Sequence, residues 1–274
     1  MDSCSLQSLN ASEDMAGSAV EGIKRWVLVE YKKAWPARPK LENLDLTDEQ
    51  RTQIADALAV EGSRMQLIRR HQSPKTIRIF LHEAGRTWMS TPQTKRLVPE
   101  EMLPYAEPMV LICTHGLRDR CCGILGGKIY IRAKRISPDL VWQASHLGGH
   151  RFAPTLLTFP QGMLYGRVAE DDVVPLLNSL SEDVPFDVDK LRGVPAWPKA
   201  AQAAAISLWK KQRLPISLHD SRESAENHWR VSLDQDGRRY HISVQKEPLP
   251  ISIQASCGDE KMKPLHRFDC QILS

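Results

Sequence analysis

The sequence predicts an α/β fold with two related halves and a small C-terminal β extension, on three observations. Residues 108–180 read strand, helix, strand, loop, strand, strand, helix from their apolar periodicity. Residues 26–81 read strand, helix, strand, strand, an echo of the same order. Residues 229–244 alternate apolar and polar side chains around Asp236-Gly237, a dipeptide that favours a tight hairpin turn.

Each element has a local reason. Residues 1–18 hold Asp2, Glu13 and Asp14 with no basic, apolar leader pattern, and are expected to form a disordered tail. A strand is expected over 26–31. Thr47 and Gln50 form a capping-box signature for a helix over 48–60 that buries Ile54, Ala57 and Leu58. Strands follow at 65–68 and 77–81. The apolar run 108–112 reads as a buried strand ending at Cys113. A helix is expected over 122–135, although Gly123, Gly126 and Gly127 weaken it. A strand over 140–144 leads to His146, and two more follow between Pro154 and Val168. Glu170, Asp171 and Asp172 suit the first turn of a helix carrying Val173, Leu176 and Leu180. Residues 182–213 read as a Pro-punctuated linker and an Ala-rich packing helix. The organisation expected is a tail over 1–18, an N-terminal α/β domain over 19–98, a site-bearing domain over 99–215 and a β-hairpin extension over 216–274. The segment after Pro248, with Cys257 and Cys270, carries no expected chemistry beyond covering the core.

Composition narrows the function classes. The chain has 274 residues, 42% hydrophobic and 26% charged, as in an ordinary globular protein. A net charge of +4 is too small to argue for nucleic acid. No apolar run approaches the roughly 18 residues of a membrane-spanning helix. Six cysteines without a secretory pattern suggest reduced thiols and a cytoplasmic location.

Two stretches concentrate soft and borderline metal ligands. One runs Cys113-Thr114-His115-Gly116-Leu117-Arg118-Asp119-Arg120-Cys121-Cys122; the other runs Ser145-His146-Leu147-Gly148-Gly149-His150. Thiolates and imidazoles are what zinc and iron–sulfur clusters select. The glycines free space for a backbone that wraps a metal and permit positive φ. A Rieske centre is disfavoured, because no His closely follows Cys121 or Cys122. The Cys spacing is too long for a zinc finger, and a Cys-x-x-Cys dithiol is absent. Adjacent Cys121 and Cys122 are poorly placed for a mutual disulfide. Buried structural thiols remain the ordinary reading for Cys4, Cys257 and Cys270.

Residues 152–162, Phe-Ala-Pro-Thr-Leu-Leu-Thr-Phe-Pro-Gln-Gly, resemble the central stretch of thioredoxins, in which a cis proline faces the site. That resemblance implies a cis Ala153–Pro154 bond. More of the chain, about residues 100–215, resembles the sucrase/ferredoxin-like family. The resemblance is carried by Cys113-Thr114-His115-Gly116, Arg118-Asp119, Cys122, Ser145-His146-x-Gly148-Gly149-His150-Arg151-Phe152-Ala153 and Tyr165-Gly166-Arg167. It implies a thioredoxin-like ferredoxin domain with one [2Fe–2S] cluster, held by Cys113 and Cys122 on one iron and by His146 and His150 on the other. Cys121 is the alternative second thiolate.

The resulting expectation is an iron–sulfur electron carrier with proton-coupled one-electron chemistry and a redox partner protein, a reductase or an electron acceptor. The alternative is a thioredoxin-like thiol oxidoreductase, or a zinc-binding redox protein, using Cys113 and Cys122. Arg118, Arg120, Lys128, Arg132, Lys134, Arg135, Arg151 and Arg167 flank the ligand segments and suit docking to an acidic partner. Arg118 and Asp119 could instead pair to fix the ligand loop, and Arg151 could tune the cluster.

Overall fold

Ten strands share one mixed sheet, and their order shows how the two halves meet. The computed structural model describes residues 3–70, 76–257 and 261–273. The strands are β1 (Arg25–Glu30), β2 (Ser63–Arg69), β3 (Ile79–Glu83), β4 (Arg86–Met89), β5 (Leu103–Pro104), β6 (Met109–Cys113), β7 (Val141–Ala144), β8 (Leu156–Phe159), β9 (Met163–Tyr165) and β10 (Leu191–Gly193). They lie in the order β10-β9-β8-β6-β7-β2-β1-β3-β4-β5. The helices are α1 (Cys4–Asn10), α2 (Asp48–Ala59), α3 (Arg120–Ile136), α4 (Val173–Asn178) and α5 (Lys199–Trp209).

Each half repeats one plan. In the first, β1 and β2 run parallel with α2 between them in sequence, β1 pairs antiparallel with β3, and β3 with β4. In the second, β6 and β7 run parallel with α3 between them, β6 pairs antiparallel with β8, and β8 with β9. The suspected internal repeat is therefore visible in the topology. The halves join where β2 pairs antiparallel with β7, Ile68 opposite Ala144 and Arg69 opposite Gln143. One apolar cluster runs through both halves, from Leu28 and Phe80 to Leu111, Trp142 and Leu157. Only the second half carries the expected ligands Cys113, Cys122, His146 and His150. Where β6 ends on Cys113, β1 ends on Glu30, whose carboxylate accepts a hydrogen bond from Arg78 Nε at 2.6 Å.

Local signals explain most elements. The Thr47 hydroxyl accepts from Gln50 N while the Gln50 side chain accepts from Thr47 N, the reciprocal cap expected from sequence. α2 then buries Ile54 and Ala57, with Leu58 packed alongside. α5 is apolar on nearly every side because it is buried on nearly every side. Its alanines lie in one cluster with Val110, Ile112 and Leu156 of the main sheet and with Val231, Leu233, Ile242 and Val244 of a second sheet.

That second sheet enlarges the expected hairpin. Asp236 and Gly237, both at positive φ, turn β12 (His228–Gln235) into β13 (Arg238–Gln254). β11 (Ile216–Ala225) and β14 (Met262–Ile272) flank them, giving four antiparallel strands. The expected boundary at residue 99 also shifts, because β5 pairs with β4 of the first half. β10 lies inside the stretch read as linker.

The expected tail is a further correction. Residues 4–10 form α1, with the Ser3 hydroxyl accepting from Leu6 N at 3.3 Å. Glu13, read as tail charge, is buried and pairs with Arg151 at 2.7 Å. Arg167 donates to Ser8 O, Ser8 Oγ and Glu13 O. The segment is thus a polar partner for two half-buried arginines. Glu13→Ala leaves the Arg151 guanidinium without its carboxylate, and a cost of about 3 kcal/mol is expected. Urea unfolding of the variant checks this, and an unchanged midpoint would return the segment to a passive tail.

Candidate metal centre

The parallel pair β6 and β7 opens its C-terminal ends on one side, where open α/β sheets place ligands. Cys113 is the last residue of β6 and is fully buried. His146 follows β7 by two residues. Cys122 lies in the first turn of α3, where its hydrogen bond to Cys113 and its burial raise the thiol pKa. Asp119 is the N-cap of α3, its Oδ1 accepting from Cys121 N at 2.9 Å.

The helix glycines that weakened the sequence reading have a packing reason. A Cβ at Gly126 would sit 1.9 Å from the Cys113 carbonyl oxygen, and one at Gly123 would sit 2.6 Å from Gly116 Cα. Without side chains there, α3 lies directly on the Cys113 loop. Gly126→Ala is expected to destabilise the chain by about 2–3 kcal/mol, through overpacking against backbone that cannot yield. Denaturant titration checks the cost; a variant as stable as the parent would contradict this packing.

The structure brings together Cys113, Cys122 and His146, whose ligand atoms all lie within 4.8 Å of one another. Cys122 Sγ stands 3.8 Å from His146 Nδ1. A hydrogen bond from Cys122 holds the Cys113 thiol well below its ordinary pKa, with His146 adding to the effect. His150 stands beside this group. Its ring lies 5.5 Å from that of His146, and its Nε2 donates to the Ala255 carbonyl at 2.8 Å. Its Nδ1 is buried with no hydrogen-bond partner among the described residues. Burial lowers the His150 pKa, opposed by Asp119, whose Oδ2 is 3.8 Å from Nε2.

Cys121 faces elsewhere. Its sulfur lies 3.6 Å from Cys4 Sγ and 3.1 Å from Cys257 Sγ, and it accepts from Ser5 Oγ at 3.3 Å. These contacts, with the one from Cys4 first, lower its pKa to about 5. The other flanking residues depart from expectation. Arg118 is exposed and, among the described residues, makes no ion pair with buried Asp119, whose carboxylate is engaged in capping α3. Arg151 is turned to Glu13 and is not free for docking. Arg118, Arg120, Lys128, Arg132 and Arg135 remain exposed along the loop and α3.

Sequence reasoning missed two supports. Arg192 is buried; Nη1 donates to Gly148 O at 2.9 Å and Nη2 to Ser18 O at 2.7 Å. Desolvation lowers its pKa to about 10. Gly149, at φ +69°, is required beside it, since a Cβ there would lie 2.3 Å from Arg192 Nη2. The one available signal was a lone arginine between Leu191 and Gly193 in an apolar setting. The other support, Ala255, comes from the extension that had no expected role. The Ala153–Pro154 bond is cis, as the thioredoxin resemblance implied, and Phe159–Pro160 is cis as well.

A family model described as sucrase/ferredoxin-like matches residues 16–193. Altered inheritance of mitochondria protein 32 of Meyerozyma guilliermondii is 31% identical over 97 residues, 32% of this chain and 34% of that protein. The match therefore spans about a third of the curated relative's length. No solved structure matches the chain significantly. Among the described residues, no helix is long and apolar enough to cross a membrane.

Proposed function

The chain belongs to the sucrase/ferredoxin-like family, and from that membership and the site's geometry we propose that it is a one-electron carrier holding a [2Fe–2S] cluster on Cys113, Cys122, His146 and His150. The observation that carries the reading is the donor set itself. Two buried thiols and an imidazole lie within 4.8 Å of one another, and the His150 ring, whose buried Nδ1 has no hydrogen-bond partner among the described residues, lies 5.5 Å from the His146 ring, outside that group. These residues fit such a group, because two thiolates and two neutral imidazoles are a known donor set for it. When bound, the cluster supplies reversible one-electron chemistry.

The chain's residues do the rest. Cys113 and Cys122 anchor from a strand end and a helix start, two rigid elements. The carbonyl of Ala255 only accepts, so it holds the proton on His150 Nε2 and leaves Nδ1 for the metal. His146 directs its Nδ1 toward Cys122, 3.8 Å away. The exposed basic residues along α3 support an acidic redox partner, drawn by complementary charge.

The thiol-enzyme alternative is less well supported. Cys113 and Cys122 are both fully buried and offer no accessible thiolate to a disulfide substrate. Metal and sulfide analysis of the purified protein decides between them. The proposal expects a reddish-brown protein with two irons and two sulfides per chain. A colourless protein that turns over disulfide substrates would replace it.

A further inference from the structure

We propose that Cys4, Cys121 and Cys257, with Asp119, form a second metal site that takes a zinc ion. The three cysteines come from distant parts of the chain: the start of α1, the start of α3 and the turn after β13. Their sulfurs are separated by 3.6 Å (Cys4 to Cys121), 3.3 Å (Cys4 to Cys257) and 3.1 Å (Cys121 to Cys257). A disulfide holds its sulfurs at about 2.05 Å, so no pair is bonded. Zinc–sulfur bonds of about 2.3 Å place thiolates about 3.8 Å apart at the corners of a tetrahedron, slightly wider than seen here. All three sulfurs and a carboxylate oxygen of Asp119 lie within 4.8 Å of one another, the dimension of one coordination sphere. Asp119 uses Oδ1 to cap α3, which leaves Oδ2 for a metal. Three thiolates and a carboxylate are within zinc's ligand range.

The surroundings agree. Cys4 is fully buried and Cys121 nearly so, while Cys257 is partly open, giving a metal a route of entry. The apolar cluster around them is small, with Ala153 and Leu125 as its chief other members. Such a patch gives little burial energy to hold a seven-residue helix and a distant turn together, whereas a bound zinc contributes folding energy directly. The ion would also fix Cys257, two residues from the Ala255 carbonyl that orients His150. Zinc displaces the thiol protons, so loading strengthens as pH rises. This site shares no ligand with the proposed cluster and stands whether or not the cluster reading holds.

The test is zinc content of the full chain beside that of Cys4→Ser and Cys257→Ser variants, purified without chelator, with iron measured in the same samples. The expected result is one zinc per parent chain, lost from both variants while iron is retained. Equal zinc in parent and variants overturns the site. Iron lost with Cys4→Ser overturns the assignment to zinc. If the variants do not fold, alkylation of the parent replaces them: Cys4, Cys121 and Cys257 should be protected together and become reactive together when a zinc chelator is added. Alkylation unaffected by the chelator, or a disulfide among the three in the native protein, would overturn the proposal.

Discussion

Replacing Cys122 with alanine is expected to remove nearly all of the chain's iron and its visible colour, and Cys113→Ala should do the same. Both thiols sit at points the fold cannot shift: the end of β6 and the first turn of α3, locked together by the close approach at Gly126. Losing one of two thiolates leaves one iron a ligand short, and among the described residues no other thiol is grouped with Cys113 and His146. Cys121→Ala should keep the iron, because its sulfur faces Cys4 and Cys257 instead. Iron and sulfide analysis of the three variants checks this. Bleaching by Cys121→Ala with colour kept in Cys122→Ala would reverse the assignment of the vicinal pair.

The reduction potential is expected to fall as pH rises across the histidine range. Reduction adds negative charge beside the imidazoles, which raises the pKa of a ring nitrogen remote from the metal. Electron uptake is then accompanied by proton uptake, and removing protons from solution makes reduction harder. A fully coupled one-electron, one-proton step moves the potential by about 59 mV per pH unit. The two histidines should differ. His150 Nε2–H is donated to Ala255 O, and its loss would leave that acceptor unmet, so His150 contributes little to the slope. His146→Cys should flatten it more than His150→Cys, and both should lower the potential, since thiolate donates more charge than imidazole. Voltammetry over a pH series checks the sign, and a flat potential would leave a plain electron carrier.

Much of this was legible in short stretches. The apolar run ending at Cys113 makes β6, the Thr47–Gln50 pair makes the cap of α2, and Asp236-Gly237 makes a hairpin. These are local signals, set by periodicity and turn chemistry. The echo between 26–81 and 108–180 became the shared order of the two half-sheets because pairing order follows the order of elements. What was not legible depends on distant partners. Cys121 and Cys257 are 136 residues apart, and their meeting leaves no trace in spacing. Glu13 reads as a solvated charge until Arg151 is seen beside it. The glycines of α3 lower helix propensity, and only the position of the Cys113 carbonyl gives the compensating reason. Arg192 and Ala255 reach the site from segments without ligand motifs, as supporting residues often do.

The central claim is a cluster with thiolate on one iron and imidazole on the other. Electron paramagnetic resonance of the dithionite-reduced protein, with nitrogen hyperfine couplings resolved by a double-resonance experiment, tests it most directly. The account predicts a [2Fe–2S] signal coupled to two nitrogens, one of which disappears in His146→Cys and the other in His150→Cys. A reduced protein without a paramagnetic signal, or a signal with no strongly coupled nitrogen, would contradict it.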